Sequence, residues 1–293
     1  MSLLIQQVIG GIAIGSIYAS LALAIVLIHR STGVVNIAQG EMAMFSTYVA
    51  WQLTAWGWPI WGAILAAVGL SLLGGMLIER VAIRPVEGAS HLTVLIVTIG
   101  LLLIFNQAAG WIWSFLVKDF PSPFPGGVWA LGQVRLSAST IGVLVVLLAS
   151  MGLLYLLFQY TKVGLAMRAV ATNPESAKLV GIRVGRILML GWGLAAALGA
   201  LSGVMVAPQL FLTPNLMFSV LIYAIAAAAL GGLDSPGGAV IGGLVVGVSE
   251  NLAATYIDFI GSDLKVLVPF VIIIAVLMVK PTGLFGQREV ARA

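Results

Sequence analysis

Three hydrogen-bonding side chains lie close together between two long apolar segments. The stretch VVNIAQGEMAM, Val34 to Met44, places Asn36, Gln39 and Glu41 around Gly40. A carboxylate at membrane depth costs several kcal/mol unless it faces water, protein or a partner. Two interpretations stay open: Asn36 caps a helix while Gln39 and Glu41 accept hydrogen bonds from backbone donors, or the three groups line a route for a polar solute.

Two further acidic residues occur in or beside apolar segments. Glu250 precedes Asn251 and has no Lys or Arg close to it in sequence. Asp234 belongs to the glycine-rich run LGGLDSPGGAVIGG, in which Ser235 and Pro236 predict the start of a helix with unpaired amide donors. We therefore add Asp234 and Glu250 to Asn36, Gln39 and Glu41 as candidates for a translocation pathway.

The segment QYTKVGLAMRAVATNPESAKLVGIRVGR is polar enough to lie outside the membrane. It predicts a helix, a stop and a second helix, capped by Thr172 or Asn173, with Pro174 at its first position. Four apolar side chains follow, interrupted by Gly181: Ala177, Leu179, Val180 and Ile182. A simple connector would need no such face, so we expect this segment to dock against a partner.

Composition indicates which solvent surrounds the chain. Of its 293 residues 61% are hydrophobic and 8% are charged, with a mean hydropathy of +1.13. Soluble domains carry about 25% charged residues, so most of this chain faces lipid. The net charge of +4 lies in short loops and indicates membrane topology rather than nucleic-acid binding. Without cysteine, and with two histidines, no disulfide framework, metal site or cofactor is expected.

Several functional classes lack their sequence motifs. The chain contains no G-x-x-x-x-G-K-[ST] loop, so it does not bind ATP in the P-loop manner. Neither H-E-x-x-H nor G-x-S-x-G is present, and we do not expect an enzyme. A basic voltage-sensing helix and a TVGYG-type filter are also missing.

Long apolar segments predict an all-α, polytopic transmembrane helix bundle. A helix that crosses the hydrocarbon core needs about 20 apolar residues. Eight or nine membrane segments are expected, at about 5–28, 36–56, 60–83, 92–115, 138–159, 187–208, 217–233, 238–257 and 264–280. Those that begin near Asn36 and end near Gly232 are the candidates for short, broken or re-entrant helices. We expect one transmembrane domain, 1–293, with a cytoplasmic loop at 160–186.

Basic residues predict the orientation. With the N-terminus outside, eleven Lys and Arg residues fall in inner loops and three in outer loops. Inner loops are enriched in Lys and Arg. The N-terminus is therefore expected to be periplasmic and the C-terminus cytoplasmic.

Glycines recur at a spacing of four residues in several segments. Such pairs let the backbones of two membrane helices approach closely. We expect tight helix contacts at Gly11/Gly15, Gly199/Gly203, Gly238/Gly242 and Gly243/Gly247. The outer segment VKDFPSPFPGGVWALGQVRLS is expected to be an ordered cap or a connector.

Three of these stretches together resemble one transporter family. GVVNIAQGEMAMFSTYVAW is similar to the N-F-A-x-G-E signature of the high-affinity branched-chain amino acid ABC-transporter permeases. TKVGLAMRAVATNPESAKLVGIRV resembles the cytoplasmic coupling loop of that family, and LGGLDSPGGAVIGGLVVGVSEN its late glycine-rich segment. The order is that of the family, although Asp234 stands where many relatives have Gly.

The resemblance implies an inner-membrane permease subunit of an ATP-driven importer for branched-chain amino acids or related small amino-acid and amide solutes. It implies a second homologous permease subunit, two cytoplasmic ATP-binding subunits and a periplasmic substrate-binding protein as partners. It also implies an ATPase-coupling role for six residues of the inner loop: Arg168, Asn173, Glu175, Ala177, Lys178 and Gly181.

Three other classes remain open from the residues alone. An ion-coupled secondary transporter or a passive channel would work without an ATPase partner. A membrane scaffold would show no transport defect on deletion.

Overall fold

The computed structural model describes residues 2–124, 126–131, 134–259 and 264–286. Most of them are helical, which confirms the predicted all-α bundle. Eleven α-helices follow one another along the chain: α1 (Ser2–Thr32), α2 (Gln39–Ala55), α3 (Ile60–Ile78), α4 (His91–Trp113), α5 (Ala138–Tyr160), α6 (Lys162–Thr172), α7 (Pro174–Leu179), α8 (Val184–Leu210), α9 (Leu216–Gly231), α10 (Pro236–Tyr256) and α11 (Leu267–Val279).

Each of the nine predicted membrane segments corresponds to one helix. Six helices, α1, α3, α4, α5, α8 and α10, are long and apolar enough to cross a bilayer. Helix α2 has 17 residues, α9 has 16 and α11 has 13. The two segments that we expected to be short, near Asn36 and Gly232, are therefore α2 and α9.

The chain divides into two compact units, which we describe separately. We predicted one transmembrane domain. The first unit consists of Met1–Val26, Phe124–Leu147 and Ser219–Ala293, and the second of Leu27–Pro123 and Leu148–Phe218.

Glycines bring helices α1 and α10 together in the first unit. A Cβ atom on Gly11 would lie 2.7 Å from the Cα atom of Val248, and one on Gly15 would lie 2.9 Å from the carbonyl oxygen of Gly243. Neither position has room for a side chain. The glycine spacing predicted this contact, in which the two backbones gain dispersion energy at close range.

A C-terminal segment closes the end of α9 in the same unit. The backbone N–H groups of Leu284 and Phe285 donate to the carbonyl oxygens of Leu230 and Gly231, at 2.8 and 3.0 Å. These carbonyl groups belong to the last turn of α9 and have no partner within the helix. The break between α9 and α10 is therefore covered by the chain itself.

Helix α8 packs against α2 and α3 in the second unit. A Cβ atom on Gly75 of α3 would lie 2.6 Å from the carbonyl oxygen of Trp192. A Cβ atom on Gly203 would lie 2.9 Å from the carbonyl oxygen of Ala43, on α2. Gly203 and Gly199 form one of the predicted pairs, and both face α2.

Described residues of the segment 117–137, which we predicted to be external, form contacts in each unit. In the second unit Lys118 pairs with Leu212 through two backbone hydrogen bonds of 2.9 Å, and the Trp51 indole donates to the Asp119 carbonyl oxygen at 3.1 Å. In the first unit the strands β1 (Val128–Leu131) and β2 (Val134–Ser137) form an antiparallel hairpin. The sequence did not predict this hairpin, because its strands of four residues are too short to show an alternating pattern.

Candidate functional site

A hydrogen-bond chain connects the start of α2 to α8. The Asn36 Oδ1 atom accepts from the backbone N–H of Ala38 at 3.0 Å, and its Nδ2 atom donates to Gln39 Oε1 at 3.3 Å. Gln39 Nε2 then donates to the Ala195 carbonyl oxygen at 2.8 Å. Space for this contact exists because a Cβ atom on Gly199 would lie 2.7 Å from Gln39 Nε2.

These contacts correct part of the sequence interpretation. Asn36 accepts from the Ala38 N–H, but the N-cap position of α2 is Ala38, which has no side-chain cap bond, so Asn36 does not cap the helix itself. The expectation that Gln39 and Glu41 accept from backbone donors was wrong. Gln39 donates to a backbone carbonyl, and Glu41 accepts from the side chain of Asn106. The partners lie on other helices, which a local reading of the sequence cannot identify.

Helix α2 begins beside the middle parts of two long apolar helices. Its first residue, Gln39, is bonded to Ala195, which lies near the middle of α8, a helix of 27 residues. Glu41 is bonded to Asn106, which lies past the middle of α4, a helix of 23 residues. Both helices are long enough to cross the bilayer at 1.5 Å per residue. We therefore expect the polar start of α2 to lie within the membrane.

Glu41 faces a small cluster of amide groups and carbonyl oxygens. Its side chain is buried, with 3% exposure. Asn106 Nδ2 donates to Glu41 Oε2 at 3.4 Å, to the Pro214 carbonyl oxygen at 3.0 Å and to Asn215 Oδ1 at 3.3 Å. We did not predict Asn106 and Asn215. One sequence signal could have identified Asn106: it and Gln107 are the only side-chain amides of α4.

An apolar groove lies beside the same helix. It has a volume of about 170 Å³ and is lined by α2, α3, α4 and α8. Phe45 and Phe105 contribute aromatic walls, with ring centroids 5.3 Å apart. Ser46 and Ser71 form a hydrogen bond of 2.6 Å in its lining. The groove offers aliphatic and aromatic contacts, and its hydroxyl groups are already bonded.

Glu250 and Asp234 belong to the first unit. The Glu250 carboxylate accepts from the Tyr18 hydroxyl at 2.9 Å and forms an ion pair with Lys265 Nζ at 3.2 Å. Asp234 lies exposed in the connection between α9 and α10. The predicted helix start is confirmed there, because Ser235 Oγ accepts from the Gly238 N–H at 3.0 Å and Pro236 is the first helical residue.

The segment 160–186, which we predicted to be a cytoplasmic loop, contains the two predicted helices, α6 and α7. Of the two candidate caps the structure selects Asn173, whose Oδ1 atom accepts from the Ser176 N–H at 2.9 Å. Pro174 is the first residue of α7. Gly181 follows the helix with a φ of +84°, a left-handed conformation that favours glycine.

The apolar face of this segment divides into an inner and an outer part. Ala177 is buried against Val170, Val184 and Leu188, and Ile182 packs on the same cluster. Leu179 and Val180, in contrast, are 89% and 76% exposed. We call these two residues the docking pair. Ala177 positions α7 on α8, so it does not face outward as we expected.

Charged residues of the segment contact close neighbours. Lys178 forms an exposed ion pair of 2.8 Å with Glu175, and this hydrogen bond raises the pKa of Lys178 above its usual value. Arg168 donates to Gln159 Oε1 at 2.9 Å. An exposed pair of this kind contributes little to stability.

A buried ion pair fixes the end of α3 to the start of α8. Arg84 donates to both oxygens of Glu79, at 3.1 and 2.7 Å, and to the Gly185 carbonyl oxygen at 2.6 Å. Glu79 is 1% exposed. The residues between them form a π-helical turn, Glu79–Ile83. Sequence reasoning missed this pair, because the charge pattern places Arg84 in a loop and does not single out Glu79.

Within the described residues, no group of three His, Asp or Glu side chains is arranged to hold a metal ion.

The comparison with known proteins decides the family. Residues 7–277 match the family described as branched-chain amino acid transport system, permease component. The chain belongs to this family.

Two curated relatives resemble the permease over nearly its whole length. It is 31% identical over 304 residues to the high-affinity branched-chain amino acid transport system permease protein LivH of Escherichia coli K12, covering 98% of this chain and 97% of LivH. It is 32% identical over 302 residues to the protein BraD of Pseudomonas aeruginosa, which has the same description, with 98% and 97% covered. The permease is thus a multi-pass membrane transport protein.

A solved structure shows the same fold. PsaBC from Streptococcus pneumoniae, determined in complex with a Fab, superposes on the permease with a TM-score of 0.51. The match covers 94% of this chain and 91% of that chain at 15% identity. At this identity the likeness concerns the fold alone.

Proposed function

We propose that the permease is the transmembrane subunit of an ATP-driven importer for branched-chain amino acids in the bacterial inner membrane. It assembles with a second homologous permease, two cytoplasmic ATP-binding subunits and a periplasmic binding protein. It has no ATPase activity of its own. The observation that carries this proposal is the exposed docking pair on a segment that is packed firmly on a membrane helix.

The docking pair supports coupling to a partner outside the bilayer. Leu179 and Val180 expose apolar surface at the end of α7, while Ala177 and its cluster hold the helix on α8. A push on α7 would therefore be transmitted to α8 through packed side chains, which resist compression. Of the six coupling candidates, Asn173 and Gly181 fix the ends of α7, Glu175 and Lys178 present charge on the same helix, and Arg168 presents charge on α6.

Arg84 adds a second connection. Its hydrogen bond to Gly185 joins α3 to the first turn of α8, directly after the coupling segment. Glu79 holds the guanidinium through two hydrogen bonds, a geometry that fixes direction as well as distance. Movement of α7 would thus reach α3 as well as α8.

The polar start of α2 supports a pathway through the second unit. Asn36, Gln39 and Glu41 place polar groups deep in the membrane, beside an apolar groove on the same helix. An amino acid with an aliphatic side chain needs polar contacts for its charged groups and apolar contacts for its side chain. We retain Asp234 and Glu250 as pathway candidates of the first unit, where Glu250 is already neutralised by Lys265.

Orientation belongs to the proposal. The coupling segment must face the cytoplasm, where ATP is hydrolysed, so the N-terminus is periplasmic and the C-terminus cytoplasmic. This agrees with the excess of Lys and Arg in the same set of loops.

Reconstitution tests the proposal. The complete complex in proteoliposomes should accumulate leucine, isoleucine or valine only with the binding protein outside the vesicles and ATP supplied on the cytoplasmic side. Replacing the docking pair with serine should abolish uptake and co-purification of the ATP-binding subunits. Leu92→Ser, which alters an apolar side chain with 65% exposure at the start of α4, is the matched control and should do neither.

Two outcomes would contradict the proposal. Uptake by this chain without ATP-binding subunits would favour a passive channel or an ion-coupled transporter. Full ATP-driven uptake by the docking-pair variant would show that coupling runs through another surface.

A further inference from the structure

Three oxygen atoms converge on one amide nitrogen in the second unit. Asn106 Nδ2 lies 3.4 Å from Glu41 Oε2, 3.0 Å from the Pro214 carbonyl oxygen and 3.3 Å from Asn215 Oδ1. An amide NH2 group carries two hydrogens and cannot satisfy three acceptors at once. We call these three oxygens the acceptor cluster. It contains more acceptors than its donor can serve.

The charges of the buried carboxylates differ in how they are balanced. Three glutamates of the described chain are buried, namely Glu41, Glu79 and Glu250. Glu79 pairs with Arg84, and Glu250 pairs with Lys265. Within the described residues no Lys or Arg pairs with Glu41. A carboxylate removed from water without a cation is costly, so the acceptor cluster is suited to a cationic group that arrives from outside the chain.

The cluster can be reached from the protein surface. Asn215 and Gln107 are exposed, Asn106 is half-buried and Glu41 lies behind them. Gln107 Nε2 donates to Asn106 Oδ1 at 3.3 Å, which holds the amide in place. A small ligand would meet Asn215 first and reach Glu41 when the Asn106 side chain turns aside.

We propose that the acceptor cluster binds the primary ammonium group of the amino acid in transit. A primary ammonium has three N–H donors, which match the three oxygens, and its charge balances Glu41. The Asn106 amide occupies the place of this group when the pathway is empty. This inference rests on the proposed function and deepens it, because it assigns Glu41, Pro214 and Asn215 to one part of the substrate.

Glu41→Gln is the central variant. It keeps the size of the side chain and a hydrogen-bonding oxygen for Asn106 but removes the charge. In the reconstituted complete complex the maximal uptake rate should fall by about tenfold or more, as expected when a charge-assisted contact is lost. Glu87→Gln makes the same chemical change at an exposed carboxylate outside the cluster and should leave uptake unchanged. Equal uptake by Glu41→Gln and the unaltered complex would overturn the inference.

A binding measurement on the unaltered complex avoids reliance on one variant. Isobutylammonium carries the ammonium group and a branched chain, and isobutanol is its uncharged counterpart. In purified complete complex, millimolar isobutylammonium should raise the thermal unfolding temperature and isobutanol should not. The shift should disappear in Glu41→Gln and persist in Glu87→Gln. A shift that is absent, or that persists in Glu41→Gln, would overturn the inference.

An alkali-metal ion is the other cation that such oxygens could hold. Replacing Na⁺ by K⁺ in every buffer should leave both uptake and the isobutylammonium shift unchanged, and a loss of either would assign the cluster to Na⁺. The proposed function fails on a different result, namely a complete complex that accumulates no amino acid. The isobutylammonium measurement can still succeed in that case, so the two failures are distinguishable.

Discussion

The guanidinium of Arg84, just beyond α3, donates a hydrogen bond of 2.6 Å to the carbonyl oxygen of Gly185, in the first turn of α8. The two residues are far apart in the sequence, and the bond joins the ends of two membrane helices. Glu79 orients the guanidinium by accepting two hydrogen bonds from it. The contact lies directly after the segment that we propose to couple ATP hydrolysis to transport, so its removal tests both stability and coupling.

Arg84→Ala should lower the free energy of unfolding by about 2 kcal/mol, because Glu79 would stay buried without its cation. Uptake should fall by more than this loss of stability can explain. Chemical denaturation of the purified permease measures the first effect, and vesicle uptake at matched protein levels measures the second. The double variant Glu79→Gln/Arg84→Met should recover stability without recovering uptake. Recovery of both stability and uptake would show that Glu79 and Arg84 contribute to packing alone.

Gly181 tests the end of α7. A Cβ atom there would meet nothing within 4 Å, so the constraint is the φ of +84° and not space. Gly181→Val should cost about 1–2 kcal/mol locally, since a β-branched residue resists this conformation. It should shift the docking pair and abolish uptake while membrane insertion stays normal. Gly181→Asn tolerates positive φ and should retain most uptake; equal loss in both variants would contradict the backbone argument.

Two neighbouring glycines of α3 provide a matched pair. A Cβ atom on Gly75 would lie 2.6 Å from the Trp192 carbonyl oxygen, whereas one on Gly74 would meet nothing within 4 Å. Gly75→Ala should therefore separate α3 from α8 and cost about 1–3 kcal/mol of overpacking. Gly74→Ala should be neutral or stabilising by up to about 1 kcal/mol. Thermal unfolding of the two variants in the same detergent compares them, and equal melting temperatures would contradict the close contact.

Lys265 tests whether Glu250 is structural or part of the pathway. Lys265→Met should destabilise the permease, since the buried Glu250 would lose its cationic partner. The double variant Glu250→Gln/Lys265→Met should be more stable than Lys265→Met alone. Uptake by the double variant decides the role: normal uptake would remove Glu250 from the pathway, and a loss at restored stability would retain it.

Much of the fold could be predicted because lipid imposes simple rules. Each apolar segment had to become a helix, since backbone groups in hydrocarbon must be paired within the segment. Local signals also predicted the ends of helices, as at Asn173, Ser235 and Gly181. The β-hairpin was missed because a connection outside the membrane is free of that constraint.

The candidate site could be predicted only in part. Asn36, Gln39 and Glu41 stood out because polar groups are rare in such a sequence. Their partners did not, because Asn106 is one amide in an otherwise ordinary apolar helix and Ala195 contributes a backbone carbonyl. The orientation of Ala177 also depends on tertiary packing, since the four apolar residues near α7 look alike until α8 is in place.

The bond between Gln39 and Ala195 also has a consequence for how the protein is made. Its two residues are separated by 156 positions. While the ribosome is still translating the first half of the chain, Gln39 enters the bilayer without α8, whose Ala195 carbonyl group will accept its hydrogen bond. We expect the insertion machinery, or an associated chaperone, to retain α2 until α8 emerges. Crosslinking of stalled nascent chains should then show α2 next to the translocon at lengths that end before α8, and released at greater lengths.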